Sequence, residues 1–185
     1  MLQVSGYLGG TVGLSSQQAD SLGLASGPFG TPVLMGETDL RYRAHGFSFQ
    51  ALGTVVSIPD AGSINRAYGN NTPQTAYGAY AEIAYDLLAS APALSPKQLI
   101  IFSRLEKLDL NARIPANGTP DPTLNQRHLV VGLTYLPISS IALKADVRFA
   151  HLGSPNASSV VVPGTVGTAG AANTTYINLG IGFAF

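Results

Sequence analysis

Thr174-Thr175-Tyr176-Ile177-Asn178-Leu179-Gly180-Ile181-Gly182-Phe183-Ala184-Phe185 is the stretch on which the reading of this chain turns. Its odd positions, Thr175, Ile177, Leu179, Ile181, Phe183 and Phe185, make a mostly apolar row that ends on two aromatic rings. The even positions, Tyr176, Asn178, Gly180, Gly182 and Ala184, are mostly small and weakly polar. Period-two alternation sends successive side chains to opposite faces, so the segment reads as a strand dividing two unlike surroundings.

The same alternation recurs along the chain. It predicts eight strands, at 2–9, 32–44, 47–57, 76–88, 98–109, 126–136, 141–151 and 174–185. Most are 11 to 13 residues long, against a usual length of about 5 or 6 in water-soluble sheets. A strand tilted by about 45° needs about 9 to 11 residues to cross the hydrocarbon layer of a membrane.

The connections alternate too. Segments 10–31, 58–75, 110–125 and 152–173 are long, whereas His45-Gly46, Ala89 to Lys97 and Pro137 to Ser140 are shorter. All long loops therefore fall at one end, as in barrels with short periplasmic turns and long external loops. The long loops hold turn-forming runs such as Gly69-Asn70-Asn71-Thr72-Pro73, and Ile58 to Tyr68 predicts one short helical turn.

Composition supports this reading from another side. Charged residues make up 11% of the chain, against about 25% in an average soluble domain, and the mean hydropathy is +0.22. The formal net charge is zero, which speaks against nucleic acid as a partner. No apolar run is long enough for a membrane-spanning helix, a test to which barrels are silent because only alternate residues face outward. Cysteine is absent. Met1 runs directly into Leu2, Gln3 and Val4 without a basic and apolar leader, so the expectation is a mature form or a fragment.

The two faces differ in kind. In 32–44, Leu34, Gly36, Thr38, Leu40 and Tyr42 oppose Met35, Glu37, Asp39, Arg41 and Arg43. In 76–88, Ile83 and Tyr85 oppose Glu82 and Asp86; in 141–151, Leu143, Val147 and Phe149 oppose Lys144, Asp146 and Arg148. Arg104 and Glu106 share a face with Ile100 and Phe102, and His128 is a further candidate for the charged side. Glu37, Asp39, Glu82, Asp86, Glu106 and Asp146 thus stand against Arg41, Arg43, Arg104, Lys144 and Arg148, six acids and five bases. They either line a water-filled channel or pair across strands in a sealed interior, and pattern alone leaves both open.

Aromatic positions separate a membrane barrel from a soluble one. Tyr42, Phe47, Phe49, Tyr85, Tyr135, Phe183 and Phe185 fall on the apolar faces near the short turns or the C-terminus, with Tyr77 and Phe149 at the opposite rim. Two such levels are what interfacial girdles look like, although Phe102, mid-strand, does not fit them. The expected fold is all-β, an antiparallel up-and-down transmembrane β-barrel in one domain over 1–185. The expected location is the bacterial outer membrane, with outer-membrane lipid and small hydrophilic solutes as partners. Eight strands close alone with a side-chain-filled lumen, or form part of a larger barrel.

Chemistry is sparse. His45, His128 and His151 lack metal-ligand spacing, no serine lies in a Gly-x-Ser-x-Gly elbow, and Gly9-Gly10 and the run from Gly164 to Ala172 lack the Lys-Ser/Thr of a phosphate loop. No catalytic residue, metal or cofactor is expected.

Four segments in order, Tyr80-Ala81-Glu82-Ile83-Ala84-Tyr85-Asp86, Phe102-Ser103-Arg104-Leu105-Glu106, Leu129 to Pro137 and Ala142 to Arg148, resemble the C-terminal half of phosphate-selective-type outer-membrane porins, over residues 32–185. That resemblance implies a barrel of about twice as many strands; the function expected of the charged lumen is passive diffusion of small hydrophilic solutes, anions among them, the alternative being a small closed eight-stranded outer-membrane barrel with a structural or loop-mediated recognition role and no conductance. A full-length porin is expected to be a homotrimer, and the last strand, ending on Phe185, resembles the C-terminal assembly signal of outer-membrane barrel proteins, which implies recognition by the barrel-assembly machinery.

Overall fold

A computed structural model describes residues 1–10, 16–25, 27, 30–91, 94, 96–154 and 172–184. Eight strands follow in order: β1 (Leu2–Gly10), β2 (Pro32–Ala44), β3 (Phe47–Ser57), β4 (Thr75–Asp86), β5 (Gln98–Arg113), β6 (Asn125–Ile138), β7 (Ile141–Leu152) and β8 (Asn173–Phe183). Each pairs antiparallel with the next in a single sheet of order β1 to β8. Phe185 and most of the run from Gly164 to Ala172 lie outside the described residues.

Strand ends differ from the pattern reading where side chains or bulges intervene. β4 stops at Asp86, not Leu88, because the Asp86 carboxylate accepts the Leu88 and Leu99 amides, each at 3.0 Å, and turns the chain there. β5 continues to Arg113 past a register shift at Thr75/Tyr77, the signature of a bulge, which lets a strand run on while its twist changes.

The sheet is open. Among the described residues, β1 pairs only with β2 and β8 only with β7, so the eight strands do not close on one another.

The shortest turn, His45-Gly46, has both residues at positive φ, 50° and 80°, the two-residue geometry whose twist matches that of the flanking strands. Gly46 is required there twice over, since a Cβ would also lie 2.4 Å from that of Ala89.

At the other end, the predicted helical turn is a helix, α2 (Ala61–Tyr68), and a second, α1 (Ser16–Leu22), forms in a segment read as irregular. Ala19, Leu24 and Ile64 bury together with Leu22, Ile58 and Ala67 against them. Asn71 exchanges hydrogen bonds with the backbone of Thr119 at 2.8 and 2.9 Å, and Asn117 donates to the Gly62 carbonyl at 2.8 Å. The loops after β1, β3 and β5 are thereby knitted into one cap.

Candidate functional site: the charged face

Cross-strand register decides which side chains share a face. Asp39 lies opposite Leu52, Arg41 opposite Gln50, Gln50 opposite Glu82, Glu82 opposite Arg104, and Glu106 opposite His128. Following the same ladders to β7 and β8 places Glu37, Asp39, Arg41, Arg43, Glu82, Asp86, Arg104, Glu106, His128, Lys144, Asp146 and Arg148 on one side of the sheet.

The middle of that face is an ion-pair chain. Arg104 bonds Glu82 at 2.7 Å and Glu106 at 3.4 Å, and Glu106 reaches Arg148 at 3.6 Å. Gln50 donates to the second Glu82 oxygen at 3.1 Å, and the Arg104 guanidinium stands 5.0 Å above the Tyr80 ring. Two acids and two bases here cancel, so the field is local and dipolar and falls off faster than that of a lone charge.

Flanking pairs follow the same rule. Asp146 accepts from Asn178 at 2.7 Å and lies 3.8 Å from Lys144, while Arg41 bonds Asp39 at 3.0 Å. Glu37 and Arg43 make no ion pair among the described residues. Asp86 shares the face, but its carboxylate is held in the turn, where it accepts the Leu88 and Leu99 amides. His128 binds the Gln126 amide oxygen at 3.2 Å.

Phe102, unplaced by the aromatic pattern, packs on this charged face with Ala84, Val130 and Ile100. Gly132 makes room for it: a Cβ there would lie 2.8 Å from the ring and 2.5 Å from the Ala145 carbonyl oxygen. The Lys144 ammonium caps the ring at 4.7 Å.

Burial is inverted relative to a sheet packed in water. The buried residues of the long strands, Asp39, Ala84, Asp86, Phe102, Val130 and Ala150, all lie on the charged side. Opposite them the apolar side chains stand open: Ile83 is 51% exposed, Leu105 63% and Leu179 82%. Tyr42, Phe47, Phe49, Tyr77, Tyr85, Tyr135, Phe149 and Phe183 also take this apolar side, with Tyr42 and Phe47 in contact at 6.4 Å between ring centres.

Sequence reasoning passed over one feature of the apolar face. Lys107, Asp109, Arg113, Arg127 and His151 are placed there by register, all toward the long-loop end. Lys107, Asp109, Arg127 and His151 fall within the strands that period two predicts, so assigning them to a face by the alternation would have found them, and only Arg113 lies beyond.

Among the described residues no helix is long and apolar enough to cross a membrane. Comparison with known protein families, curated proteins and solved structures finds no match.

Proposed function

We propose that this sheet is part of the wall of a bacterial outer-membrane porin, past whose charged face small hydrophilic solutes diffuse without chemical turnover. The inverted burial carries the reading. An apolar face left open while acids and bases are packed on the other is unstable in water and suits a wall between lipid and an aqueous lumen.

The unpaired edges favour a barrel larger than eight strands. In lipid each unsatisfied backbone group costs several kcal/mol, so β1 and β8 each need a strand partner, which a larger barrel would supply. The resemblance to phosphate-selective-type porins points the same way. Six acids against five bases on the candidate lining, mostly paired, give weak rather than strong charge selection.

One observation favours a second reading, a small closed eight-stranded barrel without conductance whose work is structural or loop-borne. The Glu82–Arg104–Glu106–Arg148 chain satisfies its charges without water, as a sealed lumen requires. Single-channel recording in a planar bilayer decides between them. Stable current steps are the expected result once the edge strands have their partners in the larger barrel; a chain that folds and inserts by itself and passes no current overturns the channel reading in favour of the closed barrel.

A further inference from the structure

Lys107, Arg127 and His151 lie side by side in register on three adjacent strands, β5, β6 and β7. Neighbouring strands are about 4.8 Å apart, so the row spans about 10 Å. Its position is unusual because it sits on the apolar side, where a charge facing hydrocarbon is costly.

Protein groups satisfy the row only in part. The Lys107 ammonium donates to Asn125, whose amide donates in turn to Asp109 at 2.7 Å, and His151 contacts the Asn173 amide oxygen at 2.6 Å. The Arg127 side chain is exposed and has no hydrogen bond or ion pair among the described residues. The row holds two permanent cations, Lys107 and Arg127, with the acid Asp109 on the next same-face position of β5; Arg113 lies six residues beyond Lys107, nearer the loops.

Lys107, Arg127 and His151 themselves line one end of an open groove of about 750 Å³ that continues along the apolar side toward the short-turn end. Ala81, Leu105, Leu129 and Phe149 line it on the apolar side, the alanine leaving the space that the larger residues border. A cationic bar above an apolar trough matches one chemistry: an anionic head group attached to hydrocarbon chains.

We infer that Lys107, Arg127 and His151 hold the phosphate head group of an anionic lipid, whose acyl chain lies in the groove over Leu105, Leu129 and Phe149. This rests on the proposed membrane reading, which makes the apolar side lipid-facing and the long-loop end the outer leaflet. Arg127 supplies the planar fork that pairs with phosphate oxygens, and Lys107 and His151 flank it. Free phosphate would gain the head-group contacts alone and leave the trough empty.

The test uses the full chain and two separate readouts. Flotation with phosphatidylcholine vesicles reports on the membrane reading: the chain and its R127Q and K107Q/R127Q variants should all float, and failure of the unaltered chain to float overturns that reading itself. Native mass spectrometry from zwitterionic micelles containing equal phosphatidylglycerol and phosphatidylcholine reports on the site. The unaltered chain should retain phosphatidylglycerol preferentially. The preference should fall about fivefold for each cation removed, while R43Q, on the opposite face, should leave it intact. Millimolar inorganic phosphate should not displace the lipid. Equal retention of both lipids, an unaffected preference in K107Q/R127Q, or displacement by inorganic phosphate would each overturn the inference while leaving the flotation result standing.

Discussion

On the charged side of the sheet Arg104 is held between Glu82 and Glu106, and Phe102 packs over the bare backbone of Gly132. One residue along the same strands, on the other side, Ile83, Ile101 and Leu133 stand roughly half open. The first side is specified by shape and by charge partners, so each residue depends on particular neighbours. On the proposed membrane reading the second asks only for apolar character, because a fluid hydrocarbon layer has no fixed shape to match. Substitutions should therefore fail for different reasons on the two sides.

The largest effect should come from a charge placed mid-wall on the apolar side. Val131 lies there between Ser103 and Val147, and V131R should cost about 2 to 4 kcal/mol of folded stability in the bilayer. V131L should cost almost nothing, and L52R, on the charged side, should fold. The measurement is the fraction of compact, heat-modifiable protein on gels after refolding into vesicles; V131R that folds like its parent would break the distinction between the sides.

Next in size is a shape change on the charged side. G132V forces a side chain against the Ala145 carbonyl, which cannot move without disturbing the β6–β7 ladder, and against the Phe102 ring. The expected loss is about 1 to 3 kcal/mol in urea unfolding. Combining G132A with F102L should recover part of it, since the smaller side chain relieves only the contact with the ring.

Smaller again is the loss of the central guanidinium. R104Q leaves the largely buried Glu82 and Glu106 carboxylates short of a partner, at a cost of about 1 to 2 kcal/mol. Adding E82Q should return roughly half of that, because Glu82 has lost its cation whereas Glu106 keeps Arg148.

These contrasts show which parts of the molecule a linear pattern can carry. Period two is a property of each strand alone, so the eight strands, their faces and the short His45-Gly46 turn were legible. Features that depend on what meets across strands were not. The Phe102 slot needs Gly132 thirty residues away in the chain, and the role of Asp86 needs the Leu99 amide across the turn. Helix α1 was missed because Ser16 to Leu22 has one polar and one apolar flank too short to show a period, and its stability comes from packing on α2. The basic row on the apolar side lies inside the predicted strands, but it becomes a row only when Lys107, Arg127 and His151 are aligned across β5, β6 and β7.

The smallest effect tests whether the apolar side has any local specificity at all. Tyr42 and Phe47 are tilted by 55° at the short-turn rim, near Phe49 and Tyr85 in the same register. Aromatic pairs of this kind are worth about 0.5 to 1.5 kcal/mol beyond the area they cover. A double-mutant cycle with Y42L and F47L should give a coupling near the lower end of that range, because Tyr42 is 56% exposed and its ring has water or lipid on its free side. Equilibrium unfolding in vesicles measures it. A coupling of zero would mean that these rings act singly as interfacial anchors, and the apolar side would then be specified by polarity alone even at its rim. A coupling well above the range would mean that the rim is packed like the charged side, and the contrast between the two sides would hold only for mid-strand residues.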